Sequence, residues 1–118
     1  MYCGASILPF TIDPVYRNLY FLMGMERVGN KYKWSDFGGK RDFDELRPEI
    51  TASREFAEET MGMVYIDSNN NHEQYKTIQT RMRAALVTQQ YCFRLNIRNI
   101  VSTQLEYVVF VKYIPWDA

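Results

Sequence analysis

GGKRDFDELRPEITASREFAEETMGM, residues 38–63, carries the pattern on which the reading of this chain turns. A double glycine, Gly38-Gly39, opens it. A polar loop follows, then a segment that reads as a helix carrying Arg54-Glu55-x-x-Glu58-Glu59. At about 100° per residue, with Glu55 at zero, Glu59 falls near 40° and Glu58 near −60°, so three carboxylates share about a quarter of the circumference. Like charges at i,i+3 and i,i+4 destabilise an isolated helix by roughly 0.2–0.5 kcal/mol per pair. Arg54, four residues before Glu58, supplies one positive charge and cannot neutralise three. A divalent cation would complete the balance, and Mg2+ or Mn2+ suits carboxylate, carbonyl and water oxygens. Ile50, Ser53, Phe56, Ala57, Thr60 and Met61 occupy the opposite face of the wheel, which is expected to pack on a core. A pair of glutamates alone would read as a solvated face. Arg54 in register and the glycines upstream favour a site.

Working outward, residues 2–10 form an apolar run that reads as a strand. Residues 11–18 contain Asp13-Pro14 and read as a loop. Residues 18–27 read as one strand with Leu19, Phe21, Met23 and Met25 on one side. Gly29-Asn30 signals a turn and residues 31–34 a returning strand. Residues 35–39 then lead into the acidic helix as a glycine loop. Beyond it, residues 63–66 read as a short strand and 67–72 as a polar loop holding His72, the one histidine, which is expected to be solvated and without a catalytic role. Residues 73–86 read as a second helix, with Tyr75, Ile78, Met82 and Ala85 at helical spacing and Arg81 and Arg83 on the polar side. Residues 87–97 alternate Tyr91, Phe93, Leu95 and Ile97, and residues 105–114 are rich in Val, Phe and Tyr. Both read as strands. Several strands with two helices predict an α+β domain on a mixed sheet.

The chain has 118 residues, a single domain's worth over 1–118, and 47% hydrophobic residues, enough for a core. Fourteen basic and fourteen acidic side chains give a formal net charge of zero, so no general attraction to nucleic acid or an anionic membrane is expected. Cys3 and Cys92 match no metal spacing and no disulfide framework. Both sit in apolar runs and are expected as reduced core residues. No secretory leader pattern opens the chain and no apolar run reaches the length of a membrane span. A cytoplasmic protein without a membrane partner is therefore expected. A homo-oligomer is left open.

The stretch 38–63 resembles the Nudix box, the signature of the Nudix hydrolases. Gly39 and Glu45 have the family's separation, and Arg54, Glu55, Phe56, Glu58 and Glu59 reproduce the core of the box without a substitution. Two spacings differ. Eight residues rather than seven lie between Glu45 and Arg54, and Thr60 and Met61 lie between Glu59 and Gly62 where the family has one residue. Neither breaks the Arg-Glu-x-x-Glu-Glu register. The layout of strand, hairpin, glycines and acidic helix is similar to the family's over most of the chain. The resemblance implies a Nudix-type α/β/α sandwich on a mixed sheet. Nudix domains commonly continue into a closing helix, whereas this sequence stops at Trp116-Asp117-Ala118, so a shortened domain or a fragment is expected.

By the same resemblance, the expected activity is metal-dependent hydrolysis of a diphosphate linkage in a nucleoside diphosphate derivative, as in a nucleotide or nucleotide-sugar pyrophosphatase. Decapping of capped RNA is a second reading of the same chemistry. A Nudix-fold module that binds nucleotide without catalysis is a third. The resemblance implies Mg2+ (or Mn2+) held by Glu55, Glu58 and Glu59 with the Gly39 carbonyl. Glycine lets the backbone come close to such an ion. Arg54 would orient and charge-balance the acids. Family members take the general base from the box, here Glu55 or Glu59, or from a glutamate outside it, for which Glu106 at the start of the last strand is the candidate. Lys40 beside the glycine is a candidate for a substrate phosphate. Trp34, Phe37 and Phe43, grouped around the glycines, are candidates for stacking on a nucleobase or for packing.

Overall fold

The computed structural model describes residues 1–60, 71–98 and 105–115, and its longest strand, β1 (Tyr2–Ile12), organises the sheet. Along one side β1 runs parallel to β7 (Glu106–Tyr113), from Tyr2 opposite Glu106 to Phe10 opposite Tyr113, with one irregularity between Tyr2 and Gly4. β6 (Phe93–Arg98) extends the sheet antiparallel to β7. On its other side β1 meets two short strands in succession. β5 (Phe37–Lys40) pairs with Gly4–Ile7, and β2 (Leu19–Phe21) pairs with Phe10–Ile12. Between the two, Pro9 has no amide hydrogen to offer, but its carbonyl accepts from the Leu22 amide at 2.9 Å. β3 (Gly24–Val28) and β4 (Lys31–Ser35) form a separate hairpin. Its turn carries Gly29 at φ 62°, a left-handed conformation that glycine adopts without strain.

Helix α1 (Pro48–Thr60) starts as its sequence dictates. Proline is tolerated in the first turn because its missing N–H would have no helical partner there, and Glu49 complements the helix dipole. The buried Glu49 also holds Arg47 at 2.8 Å and Arg94 at 3.7 Å. The apolar face of the wheel packs inward as expected. Ala52, Phe56 and Ala57 are fully buried, and Phe56 meets Phe37 edge-on at 5.6 Å. Helix α2 (Asn71–Val87) sends Ile78, Met82 and Leu86 into the same core, with Ala5, Ile7 and Phe110 from the sheet. Both described helices thus serve one face of a mixed sheet, in an α+β architecture. Among the described residues no helix is long and apolar enough to cross a membrane.

Several elements differ from the sequence reading. The double glycine is not a loop but the middle of β5, because pairing with β1 holds it extended. The strand expected over 18–27 is broken after Phe21, and its parts join different sheets. His72 lies within α2 rather than in a loop. Helix α2 runs on to Val87, and Gln89 at φ 61° ends it, with the Gln90 amide bonded back to the Ala85 carbonyl at 2.8 Å. The strand expected from residue 87 therefore begins only at Phe93. Phe93, Leu95 and Ile97 alternate as read, but their side is exposed. Cys3 and Cys92 are free thiols at the surface, not core residues: Cys3 occupies an outward position of β1, and Cys92 precedes β6. The strand read over 63–66 lies outside the described residues.

Candidate functional site

Arg54 is the hub of the polar side of α1. A guanidinium has five N–H donors in a rigid fork, and five acceptors meet them here. Nε and Nη2 grip the two oxygens of Glu45 at 3.0 Å each. Nη2 also donates to the Lys40 carbonyl at 3.1 Å, and Nη1 donates to Glu55 at 2.9 Å and Glu58 at 3.2 Å. The extra residue between Glu45 and Arg54 therefore does not separate them. The loop before α1 folds back, tied by the Tyr2 hydroxyl to the Glu45 and Arg47 carbonyls at 3.0 and 2.8 Å and to the Thr51 hydroxyl at 2.8 Å. Glu45 is buried, and it further accepts from the Asp42 amide at 2.9 Å and the Thr51 hydroxyl at 3.1 Å. Burial pushes its carboxyl up, but the bonds from Arg54, Asp42 and Thr51 outweigh that and leave its pKa below the ordinary value.

The two glycines of β5 serve opposite faces. A Cβ on Gly39 would stand 2.6 Å from the carboxyl carbon of Glu55, so glycine lets that carboxylate lie against the strand. A Cβ on Gly38 would fall 2.2 Å from the Ser6 Cβ and 2.5 Å from the Tyr107 hydroxyl. Glu55 and Tyr107 thus approach one thin strand from its two sides. Next to it opens a cleft of about 580 Å³, lined among others by Met25, Asp36, Phe37, Glu59 and Tyr107. Burial pushes the Tyr107 phenol up to about 12; a Ser6 hydrogen bond opposes the rise, and the charges of Asp36, Glu59 and Glu55 add to it. The phenol is therefore a protonated donor at neutral pH.

Compared with models of known families, with characterised proteins and with solved structures, the chain gives no match.

The structure joins Arg54, Glu55 and Glu58 by direct bonds, sets Gly39 against Glu55 and puts Glu59 on the cleft wall. Lys40 is exposed at the end of β5, with its carbonyl on Arg54. Phe37 lines the cleft but is only 7% exposed, its ring committed to Phe56, whereas Trp34 on β4 is 65% exposed and Phe43 lies open on the loop. Glu106 is not brought to the acids by these contacts. Its register partner across β6 and β7 is Arg98, whose guanidinium it holds at 2.6 Å. In donor chemistry the acids suit a hard divalent cation: all are oxygens, and one guanidinium among Glu45, Glu55 and Glu58 leaves an excess of negative charge. In arrangement they are spread around Arg54. Among the described residues no three Asp, Glu, His or Cys side chains converge as a ready ligand set.

Sequence reasoning missed Ser6, Asp36 and Tyr107. Ser6 sits fully buried inside an apolar strand, and a polar residue in such a run was the available signal.

Proposed function

We propose that this chain is a Nudix-type hydrolase that cleaves a diphosphate linkage in a nucleoside diphosphate derivative. The observation that carries the reading is the Arg54 hub, which holds Glu55 and Glu58 on one helix face while Gly39 opens the strand to the Glu55 carboxylate. Glu55, Glu58 and Glu59, with the Gly39 carbonyl, would hold Mg2+ or Mn2+. Such a cation, when bound, offsets the charge of the diphosphate and polarises its phosphoryl oxygens. Arg54 orients the acids and links them to the Glu45 loop. Water adds to one phosphorus, the bridging P–O bond breaks, and the water's proton passes to a carboxylate. We assign that carboxylate to the box, with Glu59 on the cleft wall favoured, because Glu106 is engaged by Arg98. The α/β/α form of the fold belongs to this same proposal.

Capped RNA is a second substrate reading. A groove of about 550 Å³ between α1 and α2 is lined by Arg47, Lys76 and Arg83, cations of the kind that hold a phosphate backbone.

The test is a screen of nucleoside diphosphates, sugar nucleotides, dinucleotides and capped RNA with magnesium, products identified, for wild type and Glu58→Gln. Magnesium-dependent cleavage that falls at least a hundredfold in the variant supports the assignment. Binding without turnover in wild type leaves the non-catalytic module. Turnover unchanged by Glu58→Gln removes the box from the chemistry.

A further inference from the structure

The acid helix accounts for one side of β5. The other side holds a polar group that it does not explain. Ser6 in β1 is fully buried, and its hydroxyl donates to the Asp36 carboxylate. Tyr107 in β7 lies over Gly4 and brings its hydroxyl to Gly38 and to Ser6. Three residues from separate parts of the chain converge here: Asp36 and Tyr107 line one cleft, and Ser6 lies buried behind them. Burying polar groups costs free energy unless they are paired, and a strand that only had to pack would use Ala or Val at these positions. Here the polar groups are paired with each other, and Asp36 and Tyr107 face open volume.

The chemistry of the cleft limits what it can take. Its acids are Asp36 and Glu59, and among the described residues its lining has no Lys, Arg or His. An anionic phosphate is therefore repelled from the Asp36 end. A neutral group rich in O–H donors is favoured. A carboxylate only accepts hydrogen bonds, while the Tyr107 hydroxyl both donates and accepts, a combination that matches neighbouring sugar hydroxyls. Met25 and Phe37 add apolar wall for the ring. At about 580 Å³ the cleft is within the range of small-molecule sites.

We propose that the cleft lined by Asp36 and Tyr107 is the subsite for the sugar of a nucleotide substrate, with Asp36 accepting from a ribose hydroxyl and the buried Ser6 holding Asp36 in place. Phosphates then extend out of the cleft toward the box, where a bound divalent cation would offset the charge of Glu59. The inference rests on the diphosphate-hydrolase reading.

The experiment measures binding of ADP, GDP, CDP and UDP, each against its 2′,3′-dideoxy counterpart, by calorimetry with magnesium. The whole chain is used as wild type, Asp36→Asn and Tyr107→Phe. At least one ribonucleotide should bind wild type about tenfold tighter than its dideoxy form, since a lost hydrogen bond to a charged group is worth that much or more. The gap should close in Asp36→Asn and narrow in Tyr107→Phe. If Asp36→Asn does not fold, Tyr107→Phe decides alone. Equal affinity of both forms for wild type overturns the sugar subsite and leaves the hydrolase reading standing. Loss of both forms alike in Asp36→Asn assigns Asp36 to the base and overturns the proposal. No binding by any nucleotide overturns both readings together.

Discussion

Replacing Glu45 with glutamine should destabilise the protein far more than the same change at Glu58, although both carboxylates bind Arg54. Glu45 takes two parallel bonds at 3.0 Å and is buried. Glutamine keeps its volume but turns an N–H2 group toward a guanidinium that can only donate. Breaking a buried ion pair by removing one partner costs about 3–5 kcal/mol. Arg54 retains 17% side-chain exposure, so water reaches its outer edge and the low end applies, about 3 kcal/mol. For a domain of this size that is a fall in Tm of roughly 12 °C, at about 4 °C per kcal/mol. Glu58 meets Arg54 at 3.2 Å through one nitrogen and is 45% exposed. An exposed i,i+4 pair contributes only about 0.3–0.5 kcal/mol. Removing its charge also relieves repulsion from Glu55, so Glu58→Gln should change stability by less than about 0.5 kcal/mol in either direction. The assay is thermal and urea unfolding by circular dichroism at pH 7 with chelator present. A Glu45→Gln loss under about 1 kcal/mol, or equal losses in the two variants, would refute the account of Glu45 as the anchor of Arg54.

The same pair sets an acid limit. The folded-state pKa of Glu45 is below its ordinary value of 4.5, so the unfolded chain takes up the proton first. The stability from this group is complete above that value and is lost as pH falls through the folded-state pKa. Wild type should therefore destabilise more steeply below pH 4.5 than Glu45→Gln, as unfolding titrations would register. Alanine at the two glycines should separate fold from site. At Gly38 the new Cβ meets backbone, the Ala5 carbonyl at 2.6 Å, and the melting temperature should drop sharply. At Gly39 it meets the end of the flexible Glu55 side chain, so the domain should still melt cooperatively while stabilisation by magnesium and turnover are lost. Glu106→Gln should leave turnover within about threefold of wild type; a fall of roughly 10²–10⁴ would transfer the general base to Glu106.

Much of α1 was legible in the sequence because a helix is a local object. Its period follows from backbone geometry, so the wheel alone put Phe56 and Ala57 inward and the glutamates outward. The core positions Ile78 and Met82 of α2 were legible for the same reason. Strand pairing is not local. Nothing within residues 35–40 states that β1 will hold the glycines extended, so they read as a loop. Nothing in the alternation of β6 states whether its apolar side will be covered.

The order of residues 54–59 alone specifies an acidic helix face with one arginine in register, short of positive charge. Which other groups meet that face depends on contacts between distant parts of the chain. The return of the loop delivers Glu45 to Arg54. The meeting of β1, β5 and β7, drawn from distant parts of the chain, sets Glu55 and Tyr107 on opposite sides of two glycines. Such contacts are fixed by register and by which side each Cα presents, and a side chain's neighbours across a sheet leave no trace in its spacing along the chain.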